Sequence, residues 1–170
     1  MMMRMFVMLS FIAVVLYLNI IVQVSCYPHI IAHRGASGYI PEHSIPAYEL
    51  AMNLLTNYIE PDLCLTKDGI FIAMHDLLLD DTTNVNEILI YKNRISTKII
   101  DGKNLTGYYV SDFLYSELQI LRLKQRLNGR SILYDGLFQI PSLEMIIQLV
   151  QNNYYHTKKL VGNNKLNKCL

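Results

Sequence analysis

From His29 onward the chain alternates short apolar runs with stretches of helical period, and that alternation restricts it to a parallel β/α architecture. Residues 29–32 read as a first strand. Ser44 is placed to cap a helix and Pro46 suits its first turn. Ala47, Leu50, Ala51, Leu54 and Leu55 then recur three and four residues apart, so the helix has one apolar face and ends near Asn57. Residues 58–65 read as a second strand, whose period of two sets Glu60, Asp62 and Cys64 on one face and Ile59, Leu63 and Leu65 on the other. Pro61 cannot donate to a ladder, which favours an edge or a bulge there. Lys67-Asp68-Gly69 supplies a turn into a third strand at 70–74. Across 77–139 the period fades into a polar, Asn- and Tyr-rich stretch, read as an insertion with one amphipathic helix over 111–127. Pro141 and Ser142 open a helix to about Gln151, and residues 159–161 begin another strand.

The length of 170 residues sets a ceiling of one domain, and 52% hydrophobic against 17% charged residues excludes a disordered tail. Fifteen basic residues offset 14 acidic ones without forming a stripe, so nucleic acid is not an expected partner. Cys26, Cys64 and Cys169 show no zinc or disulfide-scaffold spacing, which leaves metal chemistry to oxygen ligands. Arg4 precedes residues 5–18, apolar except for Ser10, and small residues follow at Ser25 and Cys26. Residues 1–26 therefore read as a signal peptide, or alternatively as an uncleaved anchor formed by residues 5–24. Either way Tyr27 onward lies outside the cytosol: secreted, or periplasmic in a bacterium, with membrane contact only if the segment is retained. Asn104-Leu105-Thr106 is a glycan acceptor sequence if the host is eukaryotic and the loop exposed.

The residues that carry chemistry cluster at the ends of the first three strands: His33-Arg34, then Glu60 and Asp62, then His75-Asp76. Strand ends are where parallel β/α folds place their sites. Taken singly, each has an ordinary role as a hydrogen-bonding or solvated residue. Together, imidazoles can trade protons near neutral pH, paired carboxylates can hold a hard cation and a guanidinium can clamp a phosphate, which points to phosphodiester cleavage. Two carboxylates sharing a buried face would repel, so a cation between them is the chemically sensible arrangement.

HRGASGYIPEHSIPAY at 33–48, YIEPDLCLTKDG at 58–69, MHD at 74–76 and LDDTTNV at 79–85 closely resemble the glycerophosphodiester phosphodiesterases, most of all the secreted or periplasmic type. IPSLEMIIQLV at 140–150 resembles the segment that follows the family's insertion. The resemblance implies a (β/α)8 barrel of the TIM type with an insertion after its third strand. It implies hydrolysis of glycerophosphocholine or glycerophosphoethanolamine to sn-glycerol 3-phosphate and an alcohol, through attack by the glycerol 2-hydroxyl and a cyclic phosphate. By the same resemblance His33 and His75 are the general acid and base, and Arg34 contacts the phosphate. Glu60 and Asp62 bind a divalent cation, calcium rather than magnesium in many secreted members, and Glu42 and His43 support these groups from behind. Gly35 and Gly38 are assigned to loop geometry, and His29 and His156 take no role.

A family barrel needs about 250 residues, whereas residues 27–170 provide for roughly half of the eight β/α units. The family's next strand carries a Glu-x-Lys element that completes the metal site, and the text after Gly162, NNKLNKCL, does not contain it. The expectation is thus the N-terminal half of a phosphodiesterase barrel at 27–170, active as part of a complete enzyme. The alternative is a truncated, catalytically inactive member acting as a binding or degenerate product. The oligomeric state is not legible.

Overall fold

The computed structural model describes residues 28–163, with side chains as far as Asn153. Residues 1–26, read above as a signal peptide or anchor, lie outside the described residues.

Strand β1 (Ile31–His33) pairs in parallel with β2 (Tyr58–Glu60), in the register Ile31 to Tyr58, Ala32 to Ile59 and His33 to Glu60. The crossover between them is helix α1 (Ile45–Asn53), so the first β/α unit forms as its pattern predicts. The Ser44 hydroxyl accepts from the Ala47 amide at 3.3 Å, and Pro46 occupies the first turn, where a missing N–H leaves nothing unsatisfied. Ala47, Tyr48 and Ala51 are buried. The helix stops short of the expected Asn57, because Leu55 turns left-handed at φ 60° and the apolar stripe ends in exposed Leu54 and Leu55.

The second strand is not continuous over 58–65. It breaks at Pro61, and its remainder, β3 (Leu63–Leu65), pairs antiparallel with β4 (Phe71–Ala73). The third strand therefore departs from the parallel order, and the reason is the short link. Residues 66–70 make only a turn, with Gly69 at φ 79°, whereas a parallel connection requires about a dozen residues or more. β4 is tied to the distal segment by the Ala73 amide, which donates to the Pro141 carbonyl at 3.0 Å.

Residues 77–139 carry a larger core than the β/α unit does. Leu79, Val85, Tyr91, Val110, Phe113, Leu118, Leu121 and Leu123 pack with Cys64, Ile72, Met74 and Ile140. Within it β5 (Ser96–Ile100) and β6 (Lys103–Gly107) form an exposed hairpin. The helix expected over 111–127 is reduced to α2 (Tyr115–Leu118). Leu121, Leu123 and Gln125 are buried while Arg122 and Lys124 are partly exposed, a period of two that marks extended chain. Finally α3 runs from Leu143 to Asn163. The strand expected at 159–161 is part of this helix, because no glycine or proline interrupts residues 143–161. α3 meets α1 in a second core of Tyr48, Ala73 and Ile146.

Candidate active site

The β1–β2 register sets His33 beside Glu60 at the C-terminal ends of both strands. Pro61 then ends the ladder and turns the chain, yet Asp62 stays with the pair. His33, Glu60 and Asp62 each offer one ligand atom, all within 4.8 Å of one another. His33 is exposed and the two carboxylates are half-buried, so the group opens to solvent.

The loop after β1 is shaped by two consecutive left-handed residues, Arg34 at φ 61° and Gly35 at φ 77°. The conformation is unfavourable for arginine, and it is held by hydrogen bonds on either side. The Arg34 amide donates to the Glu60 carbonyl at 3.0 Å and lies 3.2 Å from the carboxylate Oε2, while the Ala36 amide donates to the Ala47 carbonyl at 2.8 Å. The loop thus lies directly on the first turn of α1. A Cβ at Gly35 would stand 2.8 Å from the Ala47 carbonyl carbon, so only glycine allows this approach.

The Arg34 side chain is buried between two carboxylates. One terminal nitrogen donates to Glu42 Oε1 at 3.0 Å and Nε lies 3.1 Å from Asp62 Oδ2. Its other terminal nitrogen has no partner among the described residues. His43, also left-handed at φ 61°, is enclosed, with Nδ1 2.7 Å from the Tyr48 hydroxyl and Nε2 3.2 Å from Asp62 Oδ2. Burial pushes the His43 imidazole down to about 4, outweighing the upward pull of Glu42 and Asp62, so the ring is neutral at pH 7. Its one proton then belongs on Nε2, facing the carboxylate, and the Tyr48 hydroxyl donates to Nδ1. Tyr48 remains a donor because burial, reinforced by Glu60, Asp62 and Glu42, raises its hydroxyl far above the ordinary value.

His75 is not in the group of three. Its Nδ1 lies 2.7 Å from Asp76 Oδ1, and the other Asp76 oxygen accepts from Arg126 at 2.8 Å. Arg126, from the 77–139 segment, also places Nε 3.2 Å from Glu42 Oε2. Arg34 and His43 thus contact Asp62, Glu42 contacts Arg34 from the buried side, and His75 is linked to them only through Asp76, Arg126 and Glu42. Tyr48 and Arg126 were not singled out from the sequence. Tyr48 resembled one more core position of α1, and Arg126 sits in a run with Arg122, Lys124 and Arg130 that offers nothing to distinguish it.

Four carboxylates, Glu42, Glu60, Asp62 and Asp76, face two guanidiniums, Arg34 and Arg126, which leaves an excess of two negative charges. One divalent cation balances that excess. The carboxylate oxygens of Glu60 and Asp62 suit a hard ion, and two protein ligands leave further positions for water or phosphate oxygens.

The family model described as "Glycerophosphoryl diester phosphodiesterase family" matches residues 33–168. The chain is 38% identical over 122 residues to a glycerophosphodiester phosphodiesterase of Arabidopsis thaliana, covering 72% of this chain and 33% of that one. To the glycerophosphodiester phosphodiesterase of Haemophilus influenzae it is 36% identical over 144 residues, 78% of this chain and 37% of the relative. The fold is similar to the glycerophosphodiester phosphodiesterase structure from Agrobacterium tumefaciens, with a TM-score of 0.52 and 26% identity over 74% of this chain and 43% of that one. An Oleispira antarctica phosphodiesterase, solved with its product sn-glycerol-3-phosphate, shares the fold at a TM-score of 0.51 and 24% identity, over 74% of this chain and 41% of that one. The architecture is thus part of the TIM barrel of these enzymes. The chain spans about a third of the length of the curated relatives it matches.

Proposed function

Because the chain belongs to the glycerophosphoryl diester phosphodiesterase family, we propose that its site serves hydrolysis of glycerophosphodiesters such as glycerophosphocholine and glycerophosphoethanolamine to sn-glycerol 3-phosphate and an alcohol. The observation that carries this reading is the open group of His33, Glu60 and Asp62, all within 4.8 Å, beside the buried guanidinium of Arg34. The product bound in the Oleispira antarctica phosphodiesterase supports the choice of substrate class.

Glu60 and Asp62 would hold the cation, calcium in preference to magnesium. When bound, it supplies positive charge for the nonbridging oxygens of the phosphate. Arg34 adds a second positive charge, through the terminal nitrogen that its two carboxylates leave free. An imidazole is a poor ligand for either hard ion, which leaves His33 to move a proton rather than to bind. In His75, the Nδ1–H bonded to Asp76 leaves Nε2 for the substrate. One imidazole takes the proton of the glycerol 2-hydroxyl as its oxygen attacks phosphorus. The bond to the head-group oxygen breaks, and the other imidazole protonates that oxygen. Water then opens the cyclic phosphate with the two roles exchanged. His43 and Glu42 meanwhile hold Asp62 and Arg34 in place from the buried side. Export by residues 1–26 is part of this proposal, and an intact mass of the native protein beginning near Tyr27 tests it.

The test is release of glycerol 3-phosphate from glycerophosphocholine by the full protein, with calcium or with chelator, beside His33→Ala and Asp62→Asn. Activity that is lost with chelator and in both variants is expected. Activity that survives chelator, or is indifferent to His33, overturns the assignment.

A further inference from the structure

We infer that Arg126 is a positioning residue that locks the 77–139 segment onto the reacting groups, an inference that rests on the phosphodiesterase reading above. Its guanidinium spans two carboxylates at once: the terminal nitrogen donates to Asp76 Oδ2 at 2.8 Å, and the buried Nε lies 3.2 Å from Glu42 Oε2 as an ion pair without a hydrogen bond. Each carboxylate uses its second oxygen on a residue that faces the substrate. Asp76 Oδ1 accepts from His75 Nδ1 at 2.7 Å, and Glu42 Oε1 accepts from Arg34 at 3.0 Å. One side chain therefore terminates two relays, one ending at the proton-transferring ring of His75 and the other at the phosphate-facing guanidinium of Arg34.

The surroundings show why these links matter. The Glu42 side chain is only 5% exposed, so its charge needs both arginines; with Arg126 removed, Oε2 becomes a desolvated anionic oxygen without a counter-charge. His75 and Asp76 are about 40% exposed, and an isolated pair at that exposure is held weakly. A second partner on Asp76 fixes the carboxylate plane and with it the ring. The backbone around Arg126 is itself secured. The Lys124 amide donates to the Thr82 carbonyl at 2.8 Å, and Gln125 Nε2 and an Arg130 terminal nitrogen donate to the Ser37 carbonyl at 3.1 and 2.8 Å. Segment 124–130 is thus clamped to the Arg34–His43 loop, and Arg126 transmits that placement to both relays. Lysine cannot reproduce this, because an ammonium lacks the planar fork that reaches two separated acceptors.

The test compares Arg126→Gln and Arg126→Lys with the full wild-type protein, each checked for folding by thermal melting. Two readouts separate positioning from a general loss of stability. The first is the 15N signal of the His75 ring, assigned by its disappearance in His75→Gln: Nδ1 carries the proton in the wild type and loses that preference in Arg126→Gln. The second is turnover of glycerophosphocholine. Here kcat falls about 10- to 100-fold, part of the general acid–base contribution, while KM changes little. Added guanidinium ion restores part of the kcat of Arg126→Ala. An unchanged His75 ring signal in folded Arg126→Gln, or a kcat within twofold of wild type in an active protein, overturns the inference. Should the wild type show no phosphodiester hydrolysis, the functional reading falls while the ring signal still decides the role of Arg126. If Arg126→Gln does not fold, Arg126→Lys decides by the same two readouts.

Discussion

Replacing Gly35 with alanine should destabilise the protein by about 3 kcal/mol, and the same change at Gly38 should do almost nothing. Gly35 sits at φ 77°, and an L-residue in the left-handed region costs roughly 1–2 kcal/mol. Space adds a second cost. The new Cβ would lie 2.8 Å from the Ala47 carbonyl carbon, 2.9 Å from its oxygen and 3.0 Å from its Cβ. Two of these atoms are backbone, in a turn already held by the Ser44 cap and by the Tyr48 hydroxyl bonded to His43, so no rotamer change can relieve the overlap. Forced overpacking of this kind costs roughly 1–3 kcal/mol. A Cβ at Gly38, by contrast, meets nothing within 4 Å, and that residue has no left-handed backbone to strain. The measurement is urea unfolding of the three proteins at pH 7, followed by circular dichroism and analysed with a common m-value. Divalent-cation binding, followed by calorimetry, should weaken in Gly35→Ala as well, since the displaced Arg34 amide donates to a Glu60 oxygen. If Gly35→Ala unfolds within about 1 kcal/mol of wild type, or if both variants lose equally, the close packing of loop on helix is not what requires the glycine.

Three further outcomes follow from the buried groups. His43 titrates near 4 when folded and near 6.5 when exposed, so between those values the unfolded chain takes up a proton that the native one refuses. Stability is complete above pH 6.5 and falls by about 3 kcal/mol as pH drops to 4; urea midpoints measured across that window in chelator should flatten in His43→Gln, and an unchanged slope would refute the assignment. Tyr48→Phe leaves the buried His43 Nδ1 without its donor and should cost about 1–3 kcal/mol by the same unfolding assay, a loss absent if water replaces the hydroxyl. Phe113→Ala removes a fully buried ring that stacks edge-on with Tyr91 at 5.0 Å and lies under the Arg94 guanidinium at 4.4 Å, so about 3–5 kcal/mol should be lost in a single cooperative transition. A separate early transition would instead make 77–139 an independently melting unit.

Much of the site was legible because it is built from short-range rules. Ser44 and Pro46 start α1 through contacts within one turn, and the apolar run of β1 ends at His33 where the family motif begins. Glu60 and Asp62 share a face in an ideal strand, and they still meet His33 although Pro61 breaks that strand, because the β1–β2 register already sets Glu60 beside His33. Local pattern misled where tertiary partners overrode it. The third strand turned antiparallel because only a turn separates β3 from β4, and the apparent helix over 111–127 gave way to extended chain because Leu121, Leu123 and Gln125 are all drawn into the interior.

The sequence by itself determined the family, the first β/α unit and the carboxylates of the candidate metal group, since each depends on neighbours in the chain or on a motif of fixed spacing. Only the tertiary structure decided that Arg34 is enclosed by Glu42 and Asp62, that His43 is a neutral donor rather than an exposed base, and that Arg126 ties Asp76 to Glu42. Those facts arise from burial and from pairings between residues as far apart as 42 and 126, and no local period encodes either one.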